Sequence, residues 1–162
     1  MRRLFLSFFG AGFLRPAPGT WGSLAALPAA WIVHLVGGPV LLAIGALVLY
    51  FAGVAATQAE TDNADDHDPG WIVIDEVVGQ CIALLPVSVG ALHAGVPVHH
   101  LWPGILAAFL LFRLFDISKP WIIGWADRRG DAVGVMLDDV FAGVFAAICG
   151  LALAYLSHGV LG

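Results

Sequence analysis

Charge is what this sequence lacks. Only 12% of its 162 residues are Asp, Glu, Lys or Arg, about half the share of an ordinary soluble domain. Three long stretches carry none at all: Pro16 to Ala59, Val77 to Phe112 and Val140 to Gly162. An ionised group in hydrocarbon costs several kcal/mol, so runs of this kind are what a bilayer selects. With 60% hydrophobic residues and a mean hydropathy of +0.90, the chain reads as one integral membrane domain over residues 1–162. Cysteine is scarce too. Cys81 and Cys149 both sit in apolar segments and form no C-x-x-C pair, which excludes a dithiol redox site and favours small buried hydrophobes. Neither is followed six residues later by Arg, so a cysteine-phosphatase loop is absent. The net charge of −5 and the lack of a large basic cluster exclude nucleic acid as a partner. Nucleotide-binding glycine motifs are missing, and the six histidines (34, 67, 93, 99, 100 and 158) have no zinc-ligand spacing.

What is present is an all-α pattern of about five apolar helices behind an N-terminal interfacial arm. The arm, Leu4 to Leu14, carries Phe5, Phe8, Phe9 and Phe13. Gly10, Gly12 and the Arg15-Pro16 that follow argue against a cleaved signal peptide. The spans are expected over about Gly22–Val36, Val40–Thr57, Trp71–Leu92, Gly104–Ile117 and Val133–Leu156. Gly37-Gly38-Pro39 separates the first two, and a loop at His93–Pro103 precedes the fourth. Counting crossings from an inside N-terminus puts every Lys and Arg on the cytoplasmic side, as the positive-inside rule asks. Every Asp and Glu falls there as well. Small residues from Gly45 to Gly53 and along the Ala-rich last helix offer packing faces on which an oligomer could form.

Charges confined to span ends are the functional shortlist. Asp75-Glu76 stands between Trp71-Ile-Val-Ile74 and Val77-Val78. Adjacent carboxylates in such a setting repel and desolvate each other unless a cation compensates, and an ion pair to Arg113 is the plainer alternative. Arg113, Asp116 and Lys119 recur every three residues before Pro120, so one helix face carries base, acid and base. Arg offers a fork for phosphate and Lys a point charge. Asp138-Asp139 opens the last apolar helix. Two carboxylate pairs on one face outnumber the two cations, and that many hard oxygen donors suits Mg²⁺. Thr20 or Ser23, in Pro18-Gly-Thr-Trp-Gly-Ser23, is expected to cap the first span, whose free N–H groups face the same side and can take an anion. In the acidic loop that follows the second span, Glu60, Asp62 and Asp65 read mainly as a solvated surface.

Taken together, Pro18-Gly-Thr-Trp-Gly-Ser23, His67-Asp68 with Ile74-Asp75-Glu76, Phe112-Arg113-Leu-Phe-Asp116-Ile-Ser-Lys119-Pro120-Trp121, and Met136-Leu-Asp138-Asp139-Val-Phe-Ala-Gly143 with Asp127 resemble the phosphatidylglycerophosphatase A family. The chain departs from it at Ile122, where the family has Pro, and in the glycine spacing of Gly130 to Gly134. The resemblance implies a Mg²⁺-dependent phosphatase of the bacterial inner membrane, acting on phosphatidylglycerophosphate. It implies a helix bundle, because the family has soluble all-helical relatives. On that reading Asp75, Glu76, Asp138 and Asp139 hold the metal, with Asp68 and Asp127 as further candidates. Arg113 and Lys119, with Thr20 and Ser23, bind phosphate, and Asp116 is either a general base or an orienting partner of Arg113. The rival reading from another class is a small transporter or channel subunit, with the acids and Arg113 forming an ion pathway.

Overall fold

The computed structural model describes residues 1–62 and 69–159. Helix α1 (Arg2–Leu6) and a 3₁₀ turn (Ala11–Phe13) form the arm. They are followed by α2 (Pro18–Thr61), α3 (Ile74–Ala94), α4 (Trp102–Ser118), the short α5 (Ile122–Asp127) and α6 (Ala132–Gly159), with no strand among the described residues. Four of these helices are long and apolar enough to cross a membrane.

α2 is continuous in register but not in direction. A straight helix of its 44 residues would run about 66 Å. Yet Gly19, at its start, abuts Glu76, and Gly53, near its end, abuts Ile74, so both ends meet the first turn of α3. The break is Gly37-Gly38, where Gly38 has φ 60° and ψ −156°, a conformation only glycine adopts readily. α2 therefore folds into a hairpin of two passes. The five apolar passes expected from the sequence are all present, with two of them sharing one element.

The passes alternate in direction, which brings the starts of α2, α3 and α6 and the ends of α2 and α4 to one end of the bundle. The arm is tied to that same end. Val73 N–H donates to the Leu6 carbonyl at 2.9 Å, Arg3 Nε pairs with Glu60 Oε1 at 2.7 Å, and Phe13 stacks on Trp71. Leu4, Phe9, Phe13 and Leu14 remain exposed, while Phe5 and Phe8 pack against the core.

The core is built from small and medium side chains, including Ala26, Ala30, Ala46, Val77, Ala142 and Ala146, around the larger Phe112 and Met136. Large apolar residues such as Ile32, Leu47, Leu110 and Ile148 face outward. This inversion suits lipid, where large apolar groups need no burial and small ones allow backbones to approach. The tightest approach joins α3 to α6. A Cβ on Gly143 would strike the backbone of Gly79, and one on Gly79 would strike Phe112 and the Asp139 carbonyl. Gly143→Ala is expected to lower stability by about 1–3 kcal/mol through overpacking. Gly150→Ala, at a position open on all sides, should leave it unchanged. The thermal unfolding midpoint in detergent compares the two.

Candidate active site

Five carboxylates gather where α3, α4 and α6 meet. Asp75 and Glu76 lie in the first turn of α3, where the positive end of the helix dipole favours them. Asp116 stands near the end of α4, and Asp138 and Asp139 in the second turn of α6. Asp75, Asp116, Asp138 and Asp139 are all buried, Asp139 to 2% exposure. Asp75, Glu76 and Asp139 each offer a carboxylate oxygen within 4.8 Å of the others, and so do Asp116, Asp138 and Asp139. The clustering expected from sequence is thus realised, and Asp116 belongs to it as fully as the two pairs.

Two cations meet the cluster from α4. Arg113 Nη1 pairs with Asp116 Oδ2 at 2.5 Å, one helical turn on, and donates to Ser23 Oγ at 3.4 Å. Its plainer partner in the sequence reading was the Asp75-Glu76 pair. Here its ion pair is with Asp116, while Glu76 Oε1 and Arg113 Nη1 both crowd Gly19. Lys119 closes α4 in a left-handed conformation with φ 44°. That turn sends its Nζ to Asp138 Oδ2 at 2.7 Å and to Asp127 Oδ1. Burial works against the charge of Lys119, but the two carboxylates outweigh it and hold the ammonium above the ordinary lysine range. Lys119 is therefore protonated at any physiological pH. Asp127 is delivered by α5, a helix that begins at Ile122 and occupies what the sequence presented as loop.

Several expectations change. Neither Thr20 nor Ser23 caps α2: the cap residue is Ala17, with no side-chain cap bond. Pro18 takes the first helical position and has no N–H to satisfy. Thr20 lies within the first turn, and Ser23 Oγ donates back to the Gly19 carbonyl at 2.8 Å, the habit of a hydroxyl inside a helix. The capping role falls instead to Asp131 before α6, whose Oδ1 accepts from Gly134 N–H at 2.7 Å. Arg129 grips the same carboxylate, and that hydrogen bonding holds it below the usual carboxylate range. Asp68, with Asp65, Asp66 and His67, lies outside the described residues.

Sequence reasoning missed Gly19, which alone leaves room for Glu76 and Arg113. It also missed Gln80, fully buried one turn beyond Glu76 with neither amide atom partnered. As the one carboxamide in a charge-free run, Gln80 carried a legible signal.

The donor set can be tested for a cation on its own atoms. Glu76 Oε2 and Asp139 Oδ1 are buried without a hydrogen-bond partner. A buried carboxylate oxygen left unpaired costs several kcal/mol, and hard oxygens converging from two helices are the ligands of Mg²⁺ or Ca²⁺. The residues fit such an ion.

An apolar bundle whose described Asp, Glu, Lys and Arg side chains gather at one end, with histidines such as His34 and His99 toward the other, suits a membrane enzyme better than an ion conduit with charge along its length. The chain belongs to the phosphatidylglycerophosphatase A family, whose model matches residues 4–154, and so it is a phosphoric monoester hydrolase. It is 40% identical to the Haemophilus influenzae phosphatidylglycerophosphatase A, over 91% of this chain and 85% of the relative. Identity to the Escherichia coli protein of that name is 34%, over 86% and 75%. A Bacteroides thetaiotaomicron protein provisionally named a phosphatidylinositol-3-phosphatase is 39% identical over 86% and 85%. No solved structure matches the chain significantly.

Gly19→Ala should force Glu76 or Arg113 aside and reduce turnover of a phosphomonoester lipid by about tenfold or more. The unfolding midpoint should stay within a few degrees of the parent's. Unchanged turnover would show that the α2 start does not shape the site.

Proposed function

We propose that this enzyme hydrolyses the terminal phosphomonoester of phosphatidylglycerophosphate to phosphatidylglycerol and phosphate, with Mg²⁺, at the cytoplasmic face of the bacterial inner membrane. The observation that carries the reading is the convergence of five carboxylates and two cations at one end of an apolar bundle in a chain of this family. A lipid phosphate projecting from the inner leaflet meets charges in that position and no others. The sidedness is supported by the seven Lys and Arg residues (Arg2, Arg3, Arg15, Arg113, Lys119, Arg128 and Arg129), which stand at or near the same bundle end.

Asp75, Glu76, Asp138 and Asp139 would hold the metal, with Asp116 beside them; Asp68 remains a further candidate ligand. Bound there, Mg²⁺ would neutralise charge on the phosphoryl oxygens, the main demand of phosphoryl transfer. Arg113 has five N–H donors. Asp116 and Ser23 share Nη1, and Nε is buried and unpartnered, so donors remain for an equatorial oxygen. Lys119 has three, of which Asp127 and Asp138 take two. Ser23 then serves the phosphate through Arg113. Water adds to phosphorus as the bond to the glycerol oxygen breaks. Asp116, paired with Arg113 through Oδ2, orients that fork, while the water's proton passes to solvent and the departing alkoxide takes a proton from it.

Phosphate release from phosphatidylglycerophosphate in detergent tests this. Release should require Mg²⁺, stop with chelator, fall by about 10²–10³-fold in Arg113→Lys, where the fork is lost, and vanish in Asp139→Asn. Phosphatidylinositol 3-phosphate, run in parallel, should turn over more slowly. Chelator-resistant release would refute the metal, and preference for the inositol lipid would refute the substrate.

A further inference from the structure

The two carboxylate triads are not separate sites, because Asp139 belongs to both. Asp75 and Glu76 reach it from α3, and Asp116 and Asp138 reach it from α4 and from its own helix. Asp139 is also the most deeply buried of the four aspartates, with Oδ1 left without a partner, and Glu76 Oε2 on one flank is unpartnered too. Hydrogen bonds inside the cluster therefore do not consume its donor capacity. The charge count points the same way. With the exposed Asp127, which Lys119 also grips, six carboxylates stand with Arg113 and Lys119, a formal balance of six less two, or four negative charges, when all are ionised. One divalent ion would leave two of these uncompensated in an apolar bundle; two would leave none.

We infer that the site holds a pair of divalent cations bridged by Asp139, one on the Asp75-Glu76 side and one on the Asp116-Asp138 side. This rests on the metal-dependent reading above and extends it to the number of ions and the role of each carboxylate. Two ions about 3.5–4 Å apart clamp the attacking and leaving oxygens of an in-line displacement, the arrangement that a phosphomonoester held by Arg113 and Lys119 would meet. Asp139, as the bridge, sets their spacing, and the outer carboxylates each answer for one ion.

The test uses the full chain in detergent, stripped by chelator and titrated with Mn²⁺ alone, a hard octahedral stand-in for Mg²⁺. Equilibrium dialysis gives the stoichiometry and electron paramagnetic resonance reports whether the ions sense each other. The expected result is two Mn²⁺ per chain with a spin-coupled spectrum. Asp75→Asn and Asp116→Asn should each retain one uncoupled ion. Asp139→Asn should abolish coupling and weaken binding by about ten- to a hundredfold; should that variant not fold, the two flanking variants decide the matter by themselves. One Mn²⁺ per chain in the parent, or two that never couple, would overturn the pair while leaving the metal-dependent reading standing. No bound Mn²⁺ would overturn both.

Discussion

Like-charge repulsion in a low-dielectric bundle is the constraint to which the rest of this structure answers. Carboxylates that would be harmless on a wet surface become several kcal/mol of liability when buried together, and here Asp75, Asp116, Asp138 and Asp139 are all buried. Each neighbouring feature relieves some of that cost. Asp75 and Glu76 begin a helix, where unpaired N–H groups and the dipole favour anions. Arg113 sits one turn from Asp116, and Lys119 is turned back by its left-handed backbone to serve two acids at once. What these devices leave unbalanced is negative charge with unpartnered oxygens on Glu76 and Asp139, the donor set that the proposed cation would use.

The packing seam and the chemistry share residues of the same helix faces. Gly79 follows Asp75 by four residues and Gly143 follows Asp139 by four, so each glycine lies one turn from an acid along one face. Those two glycines are where α3 and α6 touch backbone to backbone. The contact therefore draws Asp75 and Asp139 toward each other, and bulk at either glycine would separate the carboxylates as well as the helices. In lipid, where apolar side chains gain little by leaving their surroundings, such close approach supplies the dispersion that holds helices together. Stability and site geometry are consequently coupled through one crossing.

Much of this was legible in the sequence because charge in a membrane protein is sparse enough to read. Asp75, Glu76, Arg113, Asp116, Lys119, Asp138 and Asp139 stand out by their isolation, and the spacing of Arg113, Asp116 and Lys119 already placed them on one face. Gly37-Gly38-Pro39 announced the α2 turn for the same reason, being the one strong breaker in a long apolar run. The capping assignment to Thr20 or Ser23 failed because Pro18 starts the helix earlier, which puts both hydroxyls inside its first turns and leaves Ala17 at the cap position. Ser23 lies inside the helix instead, where its hydroxyl accepts from Arg113. Gly19 and Gly143 stood in the family motifs, but their packing role, like that of Gly79, was not legible, since it is set by the helix that faces each of them. α5 was hidden because six residues between Pro120 and a glycine-flanked turn carry too little periodicity to declare a helix.

The relatives' names differ in headgroup, glycerol in two and inositol in the third, while a phosphomonoester on a lipid is common to all. That division matches how the described residues are spent. Arg113, Lys119 and the five carboxylates are all charged groups, and none of them presents the neutral donor and acceptor pattern that would read sugar hydroxyls. On the function proposed above, the centre would recognise a phosphate dianion, and selectivity among headgroups would rest on how far that phosphate reaches toward Asp139 while its acyl chains stay beside the bundle. A short glycerol linker and a rigid inositol ring differ in that reach before any contact with the headgroup is made. Depth of the charge cluster, set by where α3 and α6 begin, would then give that reading a physical basis for substrate choice without a dedicated headgroup pocket.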